Sequence, residues 1–349
     1  MLQTALFIVA WLVGLEVLTR SFLLSPTNIV PDPLVGYLYA PDSTALIETA
    51  DAGFRRASFN ELGLNDWPVA PNDRRPRILV LGDSYVEAFQ VPRSRNFLGV
   101  LGRDRRDLRF VNGGRSGLDP VSEYLMLEKL APAVHPAGVI LVVNSGDAND
   151  LLADGLTISR CWNGRDICGY AMPPIAQPYR HGAEGAMGRS SALLTYLVRR
   201  FEAPARAELP RIARWLPAFA AAKASARSAD SYSAEDFEPL LVCIFRRIAL
   251  RYRLIVVAVP DMEFAPGGRS AVNDKGAFAE RVGRAAATAG ATFFDAAPVL
   301  AADYARTGQP PRGFEFNRPG SGHLNAAGHA AVAHGIERHL GIFEQRIAG

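Results

Sequence analysis

The sequence Ile78-Leu79-Val80-Leu81-Gly82-Asp83-Ser84 decides the fold. An unbroken apolar run that ends in turn-forming residues is typical of a strand buried on both faces of a parallel sheet. A serine that follows such a strand lies at the carboxyl edge of the sheet, where α/β proteins bind ligands. Gly-Asp-Ser is also an ordinary turn and helix cap, so this motif alone does not establish a function.

The same pattern recurs along the chain. Short apolar runs predict further strands at 108–111, 138–143, 254–259 and 292–294. Helical stretches are expected between and after them, at roughly 94–104, 120–132, 236–252, 276–289 and 326–340. Strands that alternate with helices predict a parallel sheet covered on both faces.

The remaining segments suggest how the chain is divided. Residues 1–25 are predicted to be a transmembrane anchor helix, and 26–76 an irregular lead-in, because prolines break any long element there. Residues 77–349 are predicted to be one α/β domain. A helical insertion at about 151–235 interrupts that domain, and we expect it to lie over the carboxyl edge of the sheet.

The N-terminal segment has the character of a membrane helix. Residues 2–24 are mostly apolar and are long enough to cross the hydrocarbon core. No early Lys or Arg and no small-x-small exit is present, which favours a retained anchor over a cleaved signal peptide. Glu16 and Arg20 are four residues apart and can pair on one helical face. The alternative is a polar contact with another membrane helix.

Composition excludes some classes of function. The 38 basic residues nearly balance 35 acidic ones, and no Lys/Arg run could follow a phosphate backbone, so nucleic acid is not an expected partner. The histidines lack metal-ligand spacing, and we expect neither a metal nor a cofactor. Cys161 and Cys168 enclose a short polar stretch. They could form a disulfide in an oxidising compartment, or they could be two unpaired thiols.

Four polar blocks carry the chemistry. Ser84, Gly117 and Asn149 each follow a predicted strand, and His323 precedes the last helix. Because the carboxyl ends of parallel strands meet at one edge, we expect these residues to lie together. Ser84 would be the nucleophile and His323 the general base. A glycine in the block 112–117 could direct a backbone N–H at an oxyanion, and the Asn149 amide could be a second donor.

These blocks, in this order, resemble the SGNH (GDSL-like) serine hydrolase family over roughly residues 30–340. The segments Asp32–Tyr37 and Asn60–Leu64, which follow the anchor, are similar to its membrane-anchored bacterial branch. The resemblance implies a flavodoxin-like three-layer α/β/α fold with a mostly parallel five-stranded sheet. It also implies hydrolysis or transfer of acyl groups without a metal. By this resemblance Ser84 would match the nucleophile and His323 the base, and the oxyanion donors would be Gly117, Asn149 and the Ser84 backbone N–H.

The sequence departs from the family pattern at the triad acid. The family has an aspartate two or three residues before the histidine, whereas this chain has Ser321 and Gly320 there. Loss of the orienting carboxylate of a triad lowers turnover by about 10⁴. Ser321 or Glu315 would be the substitute for the missing acid.

We therefore expect a single-pass protein of the bacterial cytoplasmic membrane, with its globular domain in the periplasm or outside. Its lipid contact would be residues 2–24. Because the acid is missing, the domain would be a degenerate hydrolase that serves as a structural or accessory subunit beside other integral membrane proteins. The alternative is an active serine esterase or acyltransferase that acts on O-acylated cell-envelope carbohydrate or other esters.

Overall fold

The computed structural model describes residues 2–23, 29–32, 34–49, 51–147, 191, 193, 237–265, 267–273, 277–315, 317 and 319–344. The strands are β1 Ile29–Asp32, β2 Gly36–Tyr39, β3 Thr44–Thr49, β4 Gly53–Ser58, β5 Arg77–Leu81, β6 Arg109–Asn112, β7 Gly138–Asn144, β8 Arg253–Val259, β9 Met262–Ala265, β10 Arg269–Val272 and β11 Thr292–Asp295. The α-helices are α1 Leu2–Leu18, α2 Ser84–Glu87, α3 Phe97–Asp104, α4 Pro120–Val134, α5 Phe237–Ala249, α6 Phe278–Ala289, α7 Ala297–Thr307, α8 Ala326–Glu337 and α9 Gly341–Glu344.

A five-stranded sheet forms the centre of the α/β domain, with strand order β11-β8-β7-β5-β6. All of its pairings are parallel. Numbered within the sheet alone, this is the flavodoxin-like order 2-1-3-4-5. The chain reverses its direction of winding between β5 and β7, and ligands bind at such a switch point. Ser84 follows β5, so the fold itself brings that serine to the switch point.

Alternate residues of each strand pack against opposite helical layers, because successive side chains of a strand point to opposite faces of the sheet. Leu79 and Leu81 belong to one apolar core, which α4, α5 and α6 cover. Ile78 and Val80 belong to the other, which α3, α7, α8 and α9 cover. Burial on both faces explains why the strand runs are continuously apolar. The fold class predicted from the sequence is confirmed.

The lead-in contains two antiparallel hairpins, β1–β2 and β3–β4, so the prediction that it is irregular is wrong. No proline lies between Pro41 and Pro68, and the second hairpin occupies that stretch. The hairpins meet the α/β domain through a separate small core, which consists of Tyr37, Tyr39, Ala45, Ala57, Phe59 and Phe89. We call this set the aromatic cluster.

Two further elements were not predicted from the sequence. The hairpin β9–β10 follows β8, and α7 follows β11. Pro298 in the first turn and Gly308 beyond the last residue delimit α7. Asp295 accepts a hydrogen bond from the Ala297 N–H and so satisfies one of the first N–H groups of this helix. The helix was missed because its apolar residues are mostly alanines, which give a weak pattern.

The N-terminal helix is one apolar element. Residues Gln3–Ser21 have the length and composition of a membrane span or a signal sequence. Its large side chains are exposed, including Phe7 and Trp11. The Arg20 Nε donates to the Glu16 carboxylate at 2.5 Å, and this is the predicted i,i+4 pair. The second Glu16 oxygen accepts hydrogen bonds from the Ser191 hydroxyl at 2.7 Å and the Leu193 N–H at 3.0 Å.

Candidate active site

Ser84 is the first residue of α2, directly after the turn that ends β5. Asp83 caps this helix, and its carboxylate accepts a hydrogen bond from the Tyr85 N–H at 2.9 Å. A side chain at Gly82 would collide with Val86, so only glycine allows the turn to pack this closely. Asp83 is buried, and the loss of solvation raises the pKa of its carboxyl.

His323 lies in the loop before α8 and contacts Ser84. The distance from His323 Nε2 to Ser84 Oγ is 2.8 Å. The two residues are 239 positions apart in the sequence, and the structure brings them together as the motif order predicted. A neutral imidazole with its proton on Nδ1 can accept the Ser84 proton at Nε2, which is the arrangement required for general-base activation of a hydroxyl.

The other imidazole nitrogen contacts Asp51, which the sequence analysis did not single out. The Asp51 Oδ2 atom is hydrogen-bonded to His323 Nδ1. The same oxygen accepts a hydrogen bond from the His323 backbone N–H at 2.9 Å. One carboxylate therefore fixes both the ring and the backbone of His323. A carboxylate at Nδ1 selects the tautomer that leaves Nε2 free to accept and stabilises the imidazolium.

Asp51 is carried by the turn between β3 and β4. The Thr49 hydroxyl holds this turn, because it accepts from the Ala52 N–H at 3.2 Å and donates to the Gly53 carbonyl at 3.0 Å. Ala52 is fully buried, which anchors the turn against the domain. The Asp51 side chain is 13% exposed, so its interaction with His323 is only weakly screened.

The contact with Asp51 corrects the prediction of a missing acid. The aspartate is absent from the family's position in the sequence, but a carboxylate is present in space. Glu315, which was considered as a substitute, contacts Arg55 at 3.5 Å instead, and its side chain is 74% exposed. The carboxylate at His323 Nδ1 is therefore that of Asp51 and not that of Glu315.

The loop after β6 lies beside the serine turn. The Arg115 N–H donates to the Gly82 carbonyl at 3.1 Å, and the Gly113 N–H donates to the Val80 carbonyl at 2.7 Å. Gly114 packs so closely on α2 that a Cβ there would be 2.5 Å from the Glu87 nitrogen. Gly117 is exposed, has φ 78° and faces open space. Its N–H is thus on an accessible loop next to Ser84.

Glu87 holds this loop through hydrogen bonds to its buried carboxylate. Its carboxylate accepts hydrogen bonds from the Ser116 N–H at 2.8 Å and from the Ser116 hydroxyl. The Glu87 side chain is buried, and desolvation raises the pKa of its carboxyl to about 7. The hydrogen bonds from Ser116 oppose that rise. Ser116 adjoins Gly117, so Glu87 fixes the position of the residue beside the candidate oxyanion donor.

The lead-in also holds this loop. The Arg115 guanidinium donates to the Tyr37 carbonyl at 2.6 Å and also to the Val35 carbonyl. Asp66 accepts from Arg109 and from the Asn112 N–H, both at 3.0 Å. Both members of the Asp66–Arg109 pair are buried. The lead-in therefore contributes to both sides of the site: Asp51 contacts His323, and the other residues hold the loop after β6.

Several predicted residues lie outside the described part of the chain. They are Asn149, Cys161 and Cys168, together with nearly all of the helical insertion at 151–235. Among the residues that the structure describes, no group of three or more His, Cys, Asp or Glu side chains is arranged to hold a metal ion.

The sequence matches no family model and no curated protein. Solved structures match the chain at low identity. TesA is 13% identical, with 76% of this chain and 99% of that chain covered and a TM-score of 0.41. The acetyl xylan esterase AlAXEase is 11% identical, with 76% and 99% covered and a TM-score of 0.42. A lipolytic protein of the G-D-S-L family from Veillonella parvula DSM 2008 is 13% identical, with 75% and 96% covered and a TM-score of 0.38.

Proposed function

We propose that this protein is an active serine esterase or acyltransferase with the triad Ser84, His323 and Asp51. The observation that carries the proposal is the continuous line of contacts from Ser84 Oγ to His323 Nε2, at 2.8 Å, and from His323 Nδ1 to Asp51. The expectation of a degenerate site depended on a missing carboxylate. Asp51 removes the physical reason for that expectation, so we favour the alternative.

The reaction follows from the hydrogen-bond roles. Ser84 Oγ attacks the acyl carbonyl while its proton moves to His323 Nε2. The ester oxygen leaves and takes that proton, and an acyl-serine remains. Water, or an acceptor hydroxyl, then attacks the acyl carbonyl while it loses a proton to His323. His323 returns that proton to Ser84 Oγ as the bond between the serine and the acyl group breaks. Asp51 keeps its charge throughout and stabilises the imidazolium in both steps.

The negative oxygen of the tetrahedral intermediate needs hydrogen-bond donors. Ser84 is the first residue of α2, so its N–H has no partner within the helix. This N–H and that of Gly117 would be two of the donors, and the Asn149 amide would be the third. Removal of one such donor costs about 10²- to 10³-fold in kcat.

The location of the enzyme is part of the proposal. The apolar helix Gln3–Ser21 would anchor the chain in the cytoplasmic membrane of a bacterium, with the α/β domain in the periplasm or outside. Esters of the cell envelope, O-acylated carbohydrate among them, would then be the accessible substrates. The Glu16 contacts with Ser191 and Leu193 give this polar residue partners within its own chain.

A fluorophosphonate probe tests the activity. The full chain in mild detergent should react with the probe and hydrolyse an activated acetyl ester, and Ser84→Ala should abolish both. The matched control is Ser122→Ala, because Ser122 is buried in α4 and lies outside the proposed triad. Absence of labelling in the folded wild-type protein, together with stoichiometric co-purification of other membrane proteins, would favour the structural role instead.

A further inference from the structure

Arg312 is a buried cation close to the proposed triad. The residue is 4% exposed. Transfer of a guanidinium from water into a protein interior costs several kcal/mol unless hydrogen bonds replace the lost solvation. A side chain chosen only to fill space at this position would be apolar.

The guanidinium connects three segments at the carboxyl edge of the sheet. Its Nη1 donates to the Tyr85 hydroxyl at 2.8 Å and to the Gly322 carbonyl at 3.4 Å. Its Nη2 donates to the Pro260 carbonyl at 2.6 Å. Tyr85 follows Ser84, Gly322 precedes His323, and Pro260 follows β8. One planar group thus contacts the sequence neighbours of both the nucleophile and the base.

The backbone of Arg312 holds the same loop. It forms a β-bridge with Leu324, and its carbonyl accepts from the Gly320 N–H at 3.0 Å. The next residue, Gly313, donates to the His323 carbonyl at 3.2 Å. The loop that carries His323 is therefore hydrogen-bonded to Arg312 and Gly313 both before and after His323.

Two further contacts fix the plane of the guanidinium. Its central carbon lies 5.4 Å from the centroid of the Tyr85 ring, which is within the range of a cation–π contact. Asp261 lies 3.9 Å from Nη1 and supplies a counter-charge, although its side chain is 55% exposed. The Tyr85 ring in turn lies 5.2 Å from the imidazole ring of His323.

From these contacts we propose that Arg312 is a positioning residue, which sets the distance between the His323 imidazole and Ser84 by joining Tyr85, Gly322 and Pro260. It touches no reacting atom. The proposal rests on the proposed function, because positioning changes a reaction rate only where the two residues react. A displacement of about 1 Å at a catalytic pair costs on the order of 10²-fold in rate.

The substitutions Arg312→Met, Arg312→Lys and Tyr85→Phe separate the contacts. Arg312→Met removes every donor, and we expect kcat for an activated acetyl ester to fall about 10²-fold with KM within twofold. Arg312→Lys keeps the charge. A single ammonium group cannot donate to both the Tyr85 hydroxyl and the Pro260 carbonyl as the two ends of the planar guanidinium do, so kcat should fall by roughly tenfold. Tyr85→Phe removes one acceptor, and kcat should fall only a few-fold.

Active-site titration with the fluorophosphonate separates positioning from folding, because kcat is then expressed per reactive serine. A loss of titratable sites with an unchanged kcat per site would show a structural role only and overturn the proposal. If the wild-type protein is active in the same assay, an unchanged kcat in Arg312→Met would also overturn the proposal.

A second readout does not depend on activity. The His323 Nδ1 proton, hydrogen-bonded to Asp51, should give a low-field NMR resonance in the wild-type protein. We expect Arg312→Met to shift or broaden it, and an unchanged resonance would count against the proposal. If wild type and Ser84→Ala are equally inert, the proposed function fails, while this resonance still decides whether Arg312 sets the position of His323.

Discussion

The central sheet and the lead-in hairpins differ in how they are stabilised. Every residue of β7 is buried, and the sheet is covered by two large apolar cores. In β4 only one of six residues is buried, and the hairpins share the small aromatic cluster with Phe89. Ser84 and His323 belong to the first region, and Asp51 belongs to the second. The site thus joins a strongly packed scaffold to a weakly packed one.

This difference indicates where the site is vulnerable. Local opening requires least free energy where few apolar contacts must be broken. The hairpins should therefore separate from the domain more readily than the sheet unfolds. Such an opening would remove the carboxylate from His323 and leave the serine and the imidazole in place.

The largest expected effect is that of Asp51→Asn. The amide cannot hold the imidazole in the required tautomer or stabilise its charge, so kcat should fall about 10⁴-fold with little change in KM. Steady-state hydrolysis of an activated acetyl ester measures this.

Glu315→Gln is the matched control for Asp51→Asn. It removes the carboxylate that the sequence suggested as a substitute, and we expect kcat to stay within twofold of wild type. If Glu315→Gln is the more damaging of the two substitutions, the contact between Asp51 and His323 does not describe the working enzyme.

The substitution Phe59→Ala tests the attachment of the hairpins. Phe59 stacks on Tyr39 with ring centroids 4.0 Å apart. Its truncation should cost about 3 kcal/mol of local stability. Amide hydrogen exchange should rise in residues 44–58 before it rises in β7. Activity should fall at temperatures at which the sheet remains folded.

The control for Phe59→Ala is Leu250→Ala. Leu250 is 85% exposed in the α/β domain, and we expect its truncation to change stability by less than about 0.5 kcal/mol. Equal increases in exchange in the hairpins and in β7 of Phe59→Ala would show that the two regions unfold as one unit.

The raised pKa of Glu87 predicts that the stability of the folded protein depends on pH. Its pKa is raised from 4.5 in the unfolded chain to about 7 in the folded protein. The folded state therefore binds the proton more tightly, and the stability that this contributes is complete below pH 4.5 and is lost as the pH rises through about 7. At 1.36 kcal/mol per pH unit, the shift corresponds to about 3 kcal/mol.

Thermal melts of Glu87→Gln between pH 5 and 8, compared with those of the wild type, measure this effect. The glutamine stays neutral, so the fall in Tm that the wild type shows over this range should be smaller in the variant. A fall of the same size in both proteins would mean that another group is responsible.

The smallest effect is expected for Arg55→Gln. The distance from Arg55 to Glu315 is 3.5 Å, and the two side chains are 34% and 74% exposed. Pairs of this kind contribute less than about 1 kcal/mol. We expect kcat within twofold of wild type and a small change in Tm that disappears at high salt. A tenfold loss of kcat would show that this surface pair is needed to dock the hairpin.

The sheet could be predicted because its signal is local. Continuous apolar runs identify strands buried on both faces, and the fold rules then bring Ser84 and His323 to one edge. Asp51 could not be found in this way. An aspartate two residues before a glycine in a turn has an ordinary local explanation, and its contact with His323 spans 272 positions.

A signal for the second hairpin was nevertheless present. The stretch from 44 to 58 has no proline, and its ends are rich in strand-forming residues on either side of Asp51-Ala52-Gly53. The prolines on both sides of this stretch led to the prediction of an irregular segment. The roles of Glu87 and Arg312 could not be predicted, because they depend on burial and on partners from distant segments.

The separation of Asp51 and His323 has a consequence for biosynthesis. Asp51 is synthesised 272 residues before His323. A product that terminates before residue 323, or loses that residue to a protease, keeps Ser84 and Asp51 but lacks His323. The proposed ester chemistry therefore requires His323 to have been synthesised and folded against the earlier segments.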